Sequence, residues 1–181
     1  MNKIIIISST NRPNSNTLKV SKIYFEILKS MKIAAEILDL NVLPQNIAFN
    51  ESFGNRSEEF NKLINKYISK NNIFIFVVPE YNGGFPGILK LFIDCIPPKE
   101  WADKYACLTG VSLGRAGNIR GLDHLTGILN YLKMHIFHNK LPISTIDKLF
   151  NEKENFNNDD QLKACQNQIE GFMSWLKSQH A

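Results

Sequence analysis

Short, β-branched apolar runs recur along this chain, and each is followed by a longer stretch with apolar residues at helical spacing. That alternation confines the chain to α/β architectures, with parallel strands covered by the helices that connect them. Residues 3–8 carry an unbroken run of isoleucines, the pattern of a strand buried on both faces. A polar stretch, 9–16, leads into a predicted helix over 17–30, where Leu18, Ile23, Ile27 and Leu28 can share one side. A second strand is expected at 33–40. A long loop over 41–55 then precedes a helix at 57–69, with Ser57 as N-cap and acids in the first turn. Residues 72–78 (NIFIFVV) are the clearest strand. A turn rich in Gly and Pro, 79–86, opens a helix over 87–96 that Pro97 and Pro98 stop. A fourth strand at 104–112 and a helix at 119–132 follow. Pieces at 134–137 and 141–146 read as a fifth strand with a break, and 161–177 as a last amphipathic helix.

Five β–α units with right-handed crossovers leave few arrangements. The economical one is a doubly wound, five-stranded parallel sheet in the order 2-1-3-4-5, in a three-layer α/β/α sandwich. One domain is expected over residues 1–181, a length that buries a core without disulfide or metal staples.

Composition removes several function classes. The net charge of +4 comes from scattered Lys and Arg with acids between them, which argues against nucleic acid. Cys95, Cys107 and Cys165 are odd in number and widely spaced, against a disulfide framework and for a reducing, cytoplasmic setting; each reads as a small buried apolar group. His124, His135, His138 and His180 lack metal-ligand spacing with nearby acids, so no metal site is expected. The apolar run after Lys3 is too short for a signal peptide, and no stretch approaches a membrane span.

In an open doubly wound sheet, ligands bind beyond the carboxyl ends of the strands where the strand order reverses, here between strands one and three. Three loops meet there. The first holds Ser9, Thr10, Arg12, Ser15, Asn16 and Thr17, has no acid, and runs into a helix N-terminus that favours an anion. It has no glycine, so it matches neither a triphosphate cradle nor a dinucleotide fingerprint and suits a single terminal phosphate. These residues also serve as ordinary caps. The second loop, Pro79-Glu80-Tyr81-Asn82-Gly83-Gly84-Phe85-Pro86, pairs aromatics with glycines that let the backbone approach a flat ligand, although Asn82-Gly83 alone is a tight-turn signal. The third, with Ser112, Gly114, Arg115 and Gly117, offers exposed N–H donors or a plain strand-to-helix connection. The residues themselves reach "phosphate plus flat ring" and no further.

Together these segments resemble the NADPH-dependent FMN reductase family of flavodoxin-like proteins. Ser9-Thr10-Asn11-Arg12-Pro13-Asn14-Ser15 is similar to its Gly-Ser-x-Arg-x-x-Ser loop, with Ser for Gly and Thr for Ser; Thr17 stands where Asn is frequent. Pro79-Glu80-Tyr81-Asn82-Gly83, then Pro86-Gly87 and the segment ILKLFID, is the most specific match. Ser112, Gly114 and Gly117 match Ser-x-Gly-x-x-Gly, with Asn118 where a second glycine is common. The resemblance spans roughly residues 4–146.

It implies FMN as cofactor, NADPH or NADH as hydride donor, a homodimer or homotetramer, and a small acceptor: free flavin, a quinone, an azo compound or a metal ion. Arg12, Ser15 and Thr17 are then the phosphate contacts, supported by Ser9, Thr10 and Asn16. Pro79, Glu80, Tyr81, Asn82 and Gly83 lie along the ring, much of their contact coming from backbone, Glu80 being the one whose charge could instead face outward. Ser112, Gly114, Arg115 and Gly117 flank its other side, Arg115 toward the phosphates of the nicotinamide cofactor. No catalytic acid or base is nominated, because the cofactor carries the hydride step. The alternative is a non-catalytic FMN-binding electron carrier or redox sensor. Carriers of the flavodoxin kind are strongly acidic, and a pI near 8.9 counts against that. A phosphoacceptor receiver domain needs acids after strand one and an Asp at the end of strand three, where this chain has Ser8-Ser9 and Val78 followed by Pro79-Glu80. The helix over 87–96 is apolar nearly all round, which suits burial by the sheet on one side and a partner subunit on the other. Trp101 is a core anchor or lies near the cleft or an interface.

Overall fold

The computed structural model describes residues 3–179; His180 lies outside them. Strands β1 (Ile4–Ser8), β2 (Ala35–Asp39), β3 (Ile73–Pro79) and β4 (Tyr105–Val111) pair in parallel in the order β2-β1-β3-β4. Two short strands share the fifth position. β5 (His135–Ile136) pairs with Tyr105 and Ala106, and β6 (Leu141–Ile143) with Thr109 to Val111. The break between them leaves main-chain carbonyls without a ladder partner, and Gln168 fills the gap by donating from Nε2 to Leu108 O (3.0 Å) and Asn139 O (2.9 Å).

Because side chains alternate across a strand, each central strand feeds two cores. Ile4, Ile6, Ile75 and Val77 face α1 (Asn16–Ser30) and α6 (Asp159–Ser178). Ile5, Ile7, Phe74, Phe76 and Val78 face the opposite layer, built from α3 (Glu58–Ile64), α4 (Gly87–Asp94) and α5 (Ile119–Tyr131). The continuous isoleucine run of β1 is thus explained, since both of its faces are covered. Trp101 is a core anchor: it is fully buried, with Phe74, Phe76 and Phe92 at ring-centroid distances of 6.0–6.4 Å.

Local structure departs from the sequence expectation in three places. The loop over 41–55 contains a short helix, α2 (Ile47–Asn50). The helix expected over 57–69 begins at its Ser57 cap, where Ser57 Oγ accepts from Phe60 N–H at 3.1 Å, but widens to a π turn over Asn65–Ser69. Its terminal carbonyls are taken by Asn71 Nδ2, which donates to Lys66 O and Tyr67 O, and by the buried Lys104 ammonium on Ile68 O at 2.6 Å. On α4, Leu89, Phe92 and Ile93 are buried, while Lys90 and Asp94 pair on the outward side. Among the described residues no helix is long and apolar enough to cross a membrane.

All three cysteines are buried and unpaired. Burial pushes the thiols of Cys107 and Cys165 upward, Cys165 to about 11, so neither is a ready thiolate at neutral pH.

Candidate functional site

The site is assembled where β1, β3 and β4 end. At the end of β1, Ser9 is fully buried; its N–H donates to Val77 O (3.0 Å) and its hydroxyl to Ile7 O (3.2 Å). Thr10 turns the other way. Its Oγ1 lies 2.9 Å from Tyr81 Oη and accepts from Arg12 N–H at 3.2 Å. The chain then folds through Asn14, at φ 51°, to Ser15, the N-cap of α1. Ser15 Oγ accepts from Leu18 N–H at 3.1 Å, which leaves its own proton free to donate. Among the described residues, the N–H groups of Asn16 and Thr17 in the first turn have no acceptor, and no acid sits in that turn.

The second loop is a two-residue hairpin. Tyr81 and Gly84 exchange main-chain hydrogen bonds of 2.8 and 3.0 Å, with Asn82 at φ 52° and Gly83 at φ 79°. Two positive φ values in succession define a type I′ turn, which the Asn-Gly pair adopts at little cost. Asn82 and Gly83 therefore form the exposed tip, while Pro79, Glu80 and Tyr81 stay on the wall below.

Glu80 is not turned outward. Ser112 Oγ donates to its Oε2 at 2.6 Å, and Arg120 Nη2 lies 4.0 Å from its Oε1, so the carboxylate ties the second loop to the third. Ser112 Oγ also accepts from Gly114 N–H at 2.9 Å. The main chain of the third loop is fastened to the segment after β6: Thr145 N–H donates to Gly114 O, Ser144 Oγ to Arg115 O, and Ile146 N–H to Ser112 O. Gly117, at φ 56°, lies so close to β6 itself that a Cβ there would be 2.6 Å from Pro142 Cβ.

Between these loops lies a cleft of about 250 Å³. Thr10, Arg12, Asn14, Ser15, Asn16 and Thr17 line one end; Pro79, Glu80, Tyr81, Val111, Ser112, Leu113 and Ile146 line the remainder. Of the residues named from sequence, Thr10, Arg12, Ser15, Asn16, Thr17, Pro79, Glu80, Tyr81 and Ser112 meet here. Ser9, Asn82, Gly83, Gly114, Arg115 and Gly117 lie outside the lining: Ser9 beneath it, Asn82 and Gly83 at the turn tip, Gly114 and Arg115 exposed, and Gly117 packed on Pro142. Asn14, Val111, Leu113 and Ile146 were not singled out. Asn14 and Leu113 belonged to the flagged loops without distinctive chemistry, and Ile146 reaches the cleft only through the pairing of β6 with β4. Among the described residues no group of three or more His, Cys, Asp or Glu side chains could hold a metal ion.

A family model described as NADPH-dependent FMN reductase matches residues 2–148. The chain belongs to this family. An NAD(P)H-dependent FMN reductase of Saccharomyces cerevisiae is 30% identical over 139 residues, covering 74% of this chain and 69% of that protein. A 2-hydroxy-1,4-benzoquinone reductase of a Burkholderia species is 22% identical over 147 residues, 78% and 79% of the two chains. In fold the chain is similar to a flavoenzyme NAD(P)H:(acceptor) oxidoreductase from Paracoccus denitrificans, with a TM-score of 0.79, 19% identity and 98% of each chain covered. With the observed strand order, the fold is flavodoxin-like. As a member of the FMN reductase family the protein is an FMN- and NAD(P)H-dependent oxidoreductase.

The donor set of the cleft fits FMN. One end offers hydroxyls, amides, free N–H groups and a guanidinium without a carboxylate, as a phosphate requires. The other end is lined by Pro79, Tyr81, Val111, Leu113 and Ile146, which suit a planar ring. Its one carboxylate, Glu80, is already engaged by Ser112 and Arg120.

Proposed function

We propose that the cleft holds FMN and that NAD(P)H-dependent reduction of a small acceptor, a quinone or free flavin, takes place there. The observation that carries this is the polarity of the cleft, with anion-binding groups at one end and apolar and aromatic side chains at the other. When bound, FMN supplies a two-electron relay between reductant and acceptor. The protein binds, orients and shields.

Arg12 neutralises the phosphate charge, and the hydroxyls of Ser15 and Thr17 with the free N–H groups of Asn16 and Thr17 donate to its oxygens. Tyr81 and Glu80 form the ring wall, and Ser112, Leu113 and Ile146 face them. Arg115, exposed on the third loop, attracts the phosphates of NAD(P)H. A quinone acceptor accords with the apolar mouth formed by Tyr81 and Leu113, 37% and 66% exposed, and with the activity named for the Burkholderia relative.

The proposal extends to one domain carrying the whole site, to a reducing cytoplasmic setting that suits three unpaired cysteines, and to a homodimer or homotetramer. Sedimentation of the FMN-loaded protein reads the last directly.

The decisive experiment is FMN titration followed by NADPH and NADH oxidation with benzoquinone, free FMN, an azo dye and ferric chelate as acceptors. Saturable FMN binding with quinone- or flavin-dependent oxidation is expected. A protein that binds no FMN loses the assignment of the cleft; one that binds FMN without oxidising NAD(P)H is a carrier or sensor.

A further inference from the structure

Asn118 sits immediately before α5 and is 1% exposed. Its φ of 65° lies in the left-handed region, which Asn tolerates better than most residues. Its side chain reaches across to the neighbouring strand. Nδ2 donates to Val78 O and to Pro79 O, both at 3.0 Å, the last two carbonyls of β3 before Glu80 and Tyr81. The reverse amide orientation would set Oδ1 against two carbonyl oxygens, so the network itself identifies the nitrogen. Oδ1 is buried and has no partner.

The packing around this amide is tight. A Cβ at Gly121 would lie 2.1 Å from Asn118 Oδ1 and 2.9 Å from the carbonyl carbon of Gly84. The first turn of α5 therefore presses on both the Asn118 side chain and the turn over 81–84.

Resting on the assignment of the cleft to FMN, we infer that Asn118 is a positioning residue that fixes the direction in which the chain leaves β3. Two carbonyls held by one rigid amide orient the peptides on either side of Pro79. The contacts that follow depend on that exit: Glu80 N–H to Val111 O at 2.8 Å, the Glu80 carboxylate to Ser112, and Tyr81 Oη to Thr10. Asn118 touches no reacting atom and acts through Glu80 and Tyr81.

Two variants separate the donor from the backbone conformation. Asn118→Gly satisfies the positive φ without a side chain. Asn118→Asp keeps the size and the tolerance for that φ but places an acceptor against two carbonyls. The readouts are FMN affinity by fluorescence titration, visible circular dichroism of the bound flavin, and hydrogen exchange of the Glu80 and Tyr81 amides in the FMN-free full-length chain. Asn118→Gly is expected to weaken FMN about tenfold, the scale of two neutral hydrogen bonds, and to speed exchange at Glu80 and Tyr81. Asn118→Asp is expected to do more of both and to alter the dichroism.

An Asn118→Gly protein with wild-type FMN affinity and wild-type exchange would overturn the inference, because the site would then need only the backbone conformation. If wild-type protein binds no FMN, the assignment of the cleft fails. Exchange at Glu80 and Tyr81 still decides the role of Asn118.

Discussion

Thr10 and Tyr81 stand 71 residues apart in sequence, and their hydroxyls lie 2.9 Å apart in the cleft. Thr10 is almost wholly buried and Tyr81 is partly exposed, so the bond fixes a solvent-facing ring to the rigid end of β1. It joins the loop assigned to the phosphate with the loop assigned to the ring.

This bond is open to a double-mutant cycle. Thr10→Val and Tyr81→Phe should each weaken FMN severalfold, and the pair should show a coupling of about 1 kcal/mol, the net worth of one neutral hydrogen bond. Additive losses within error would mean that the two loops bind FMN independently.

Arg12 lines the hydroxyl-rich end of the cleft, where no acid opposes it. Arg12→Ala should weaken FMN roughly ten- to a hundredfold, as expected for one charge-assisted contact, and leave riboflavin nearly unchanged. The comparison needs only two fluorescence titrations. Equal losses for both ligands would remove Arg12 from the phosphate.

Gly117 combines a positive φ of 56° with backbone neighbours that leave no room for a side chain, Pro142 C at 2.7 Å and Ile143 N at 2.8 Å from the site of a Cβ. Gly117→Ala should lower stability by about 2–4 kcal/mol in chemical unfolding. Because the strain falls where the third loop meets β6, FMN affinity should fall with it. A variant as stable as wild type would show that β6 yields easily at Pro142 and Ile143.

Glu36 on β2 takes the ammonium groups of Lys3 and Lys66. Burial works to raise its pKa, but hydrogen bonds from the two lysines outweigh it and hold the carboxyl at about 2. A depressed carboxyl pKa stabilises the fold above the unfolded value, near 4.5, and that contribution is lost as pH falls toward 2. Glu36→Gln should therefore be less stable than wild type at pH 7, with the gap closing between pH 4.5 and 2. Urea unfolding at pH 7, 4 and 2.5 measures it. A gap that stays constant with pH would assign the loss to packing rather than charge.

How far the sequence could be read differs between elements for physical reasons. β1 and β3 are continuous apolar runs buried on both faces, and runs of that kind have few other uses. Ser57 was legible as a cap because capping is local, involving residues three apart. The π turn over Asn65–Ser69 was not, because one of its carbonyls, Ile68 O, is satisfied by Lys104, which arrives from another part of the chain. The same division runs through the site. The hydroxyl and amide composition of the first loop pointed to a candidate anion site, yet composition did not distinguish Ser9, whose hydroxyl is bonded to Ile7 O, from Thr10, whose hydroxyl meets Tyr81.

By itself, then, the sequence determined the strand order and the residue types gathered at the carboxyl ends of β1, β3 and β4. Those follow from periodicity, chain direction and handedness, all of which are local or topological. Only the tertiary structure decided which way each side chain points: Asn82 and Gly83 to a turn tip, Glu80 onto Ser112, Ile146 into the cleft, and the Asn118 amide onto the end of β3. Each of those outcomes depends on carbonyls, clashes and hydroxyls contributed by residues distant in sequence, and the free energies of these contacts exist only once the sheet has brought them together.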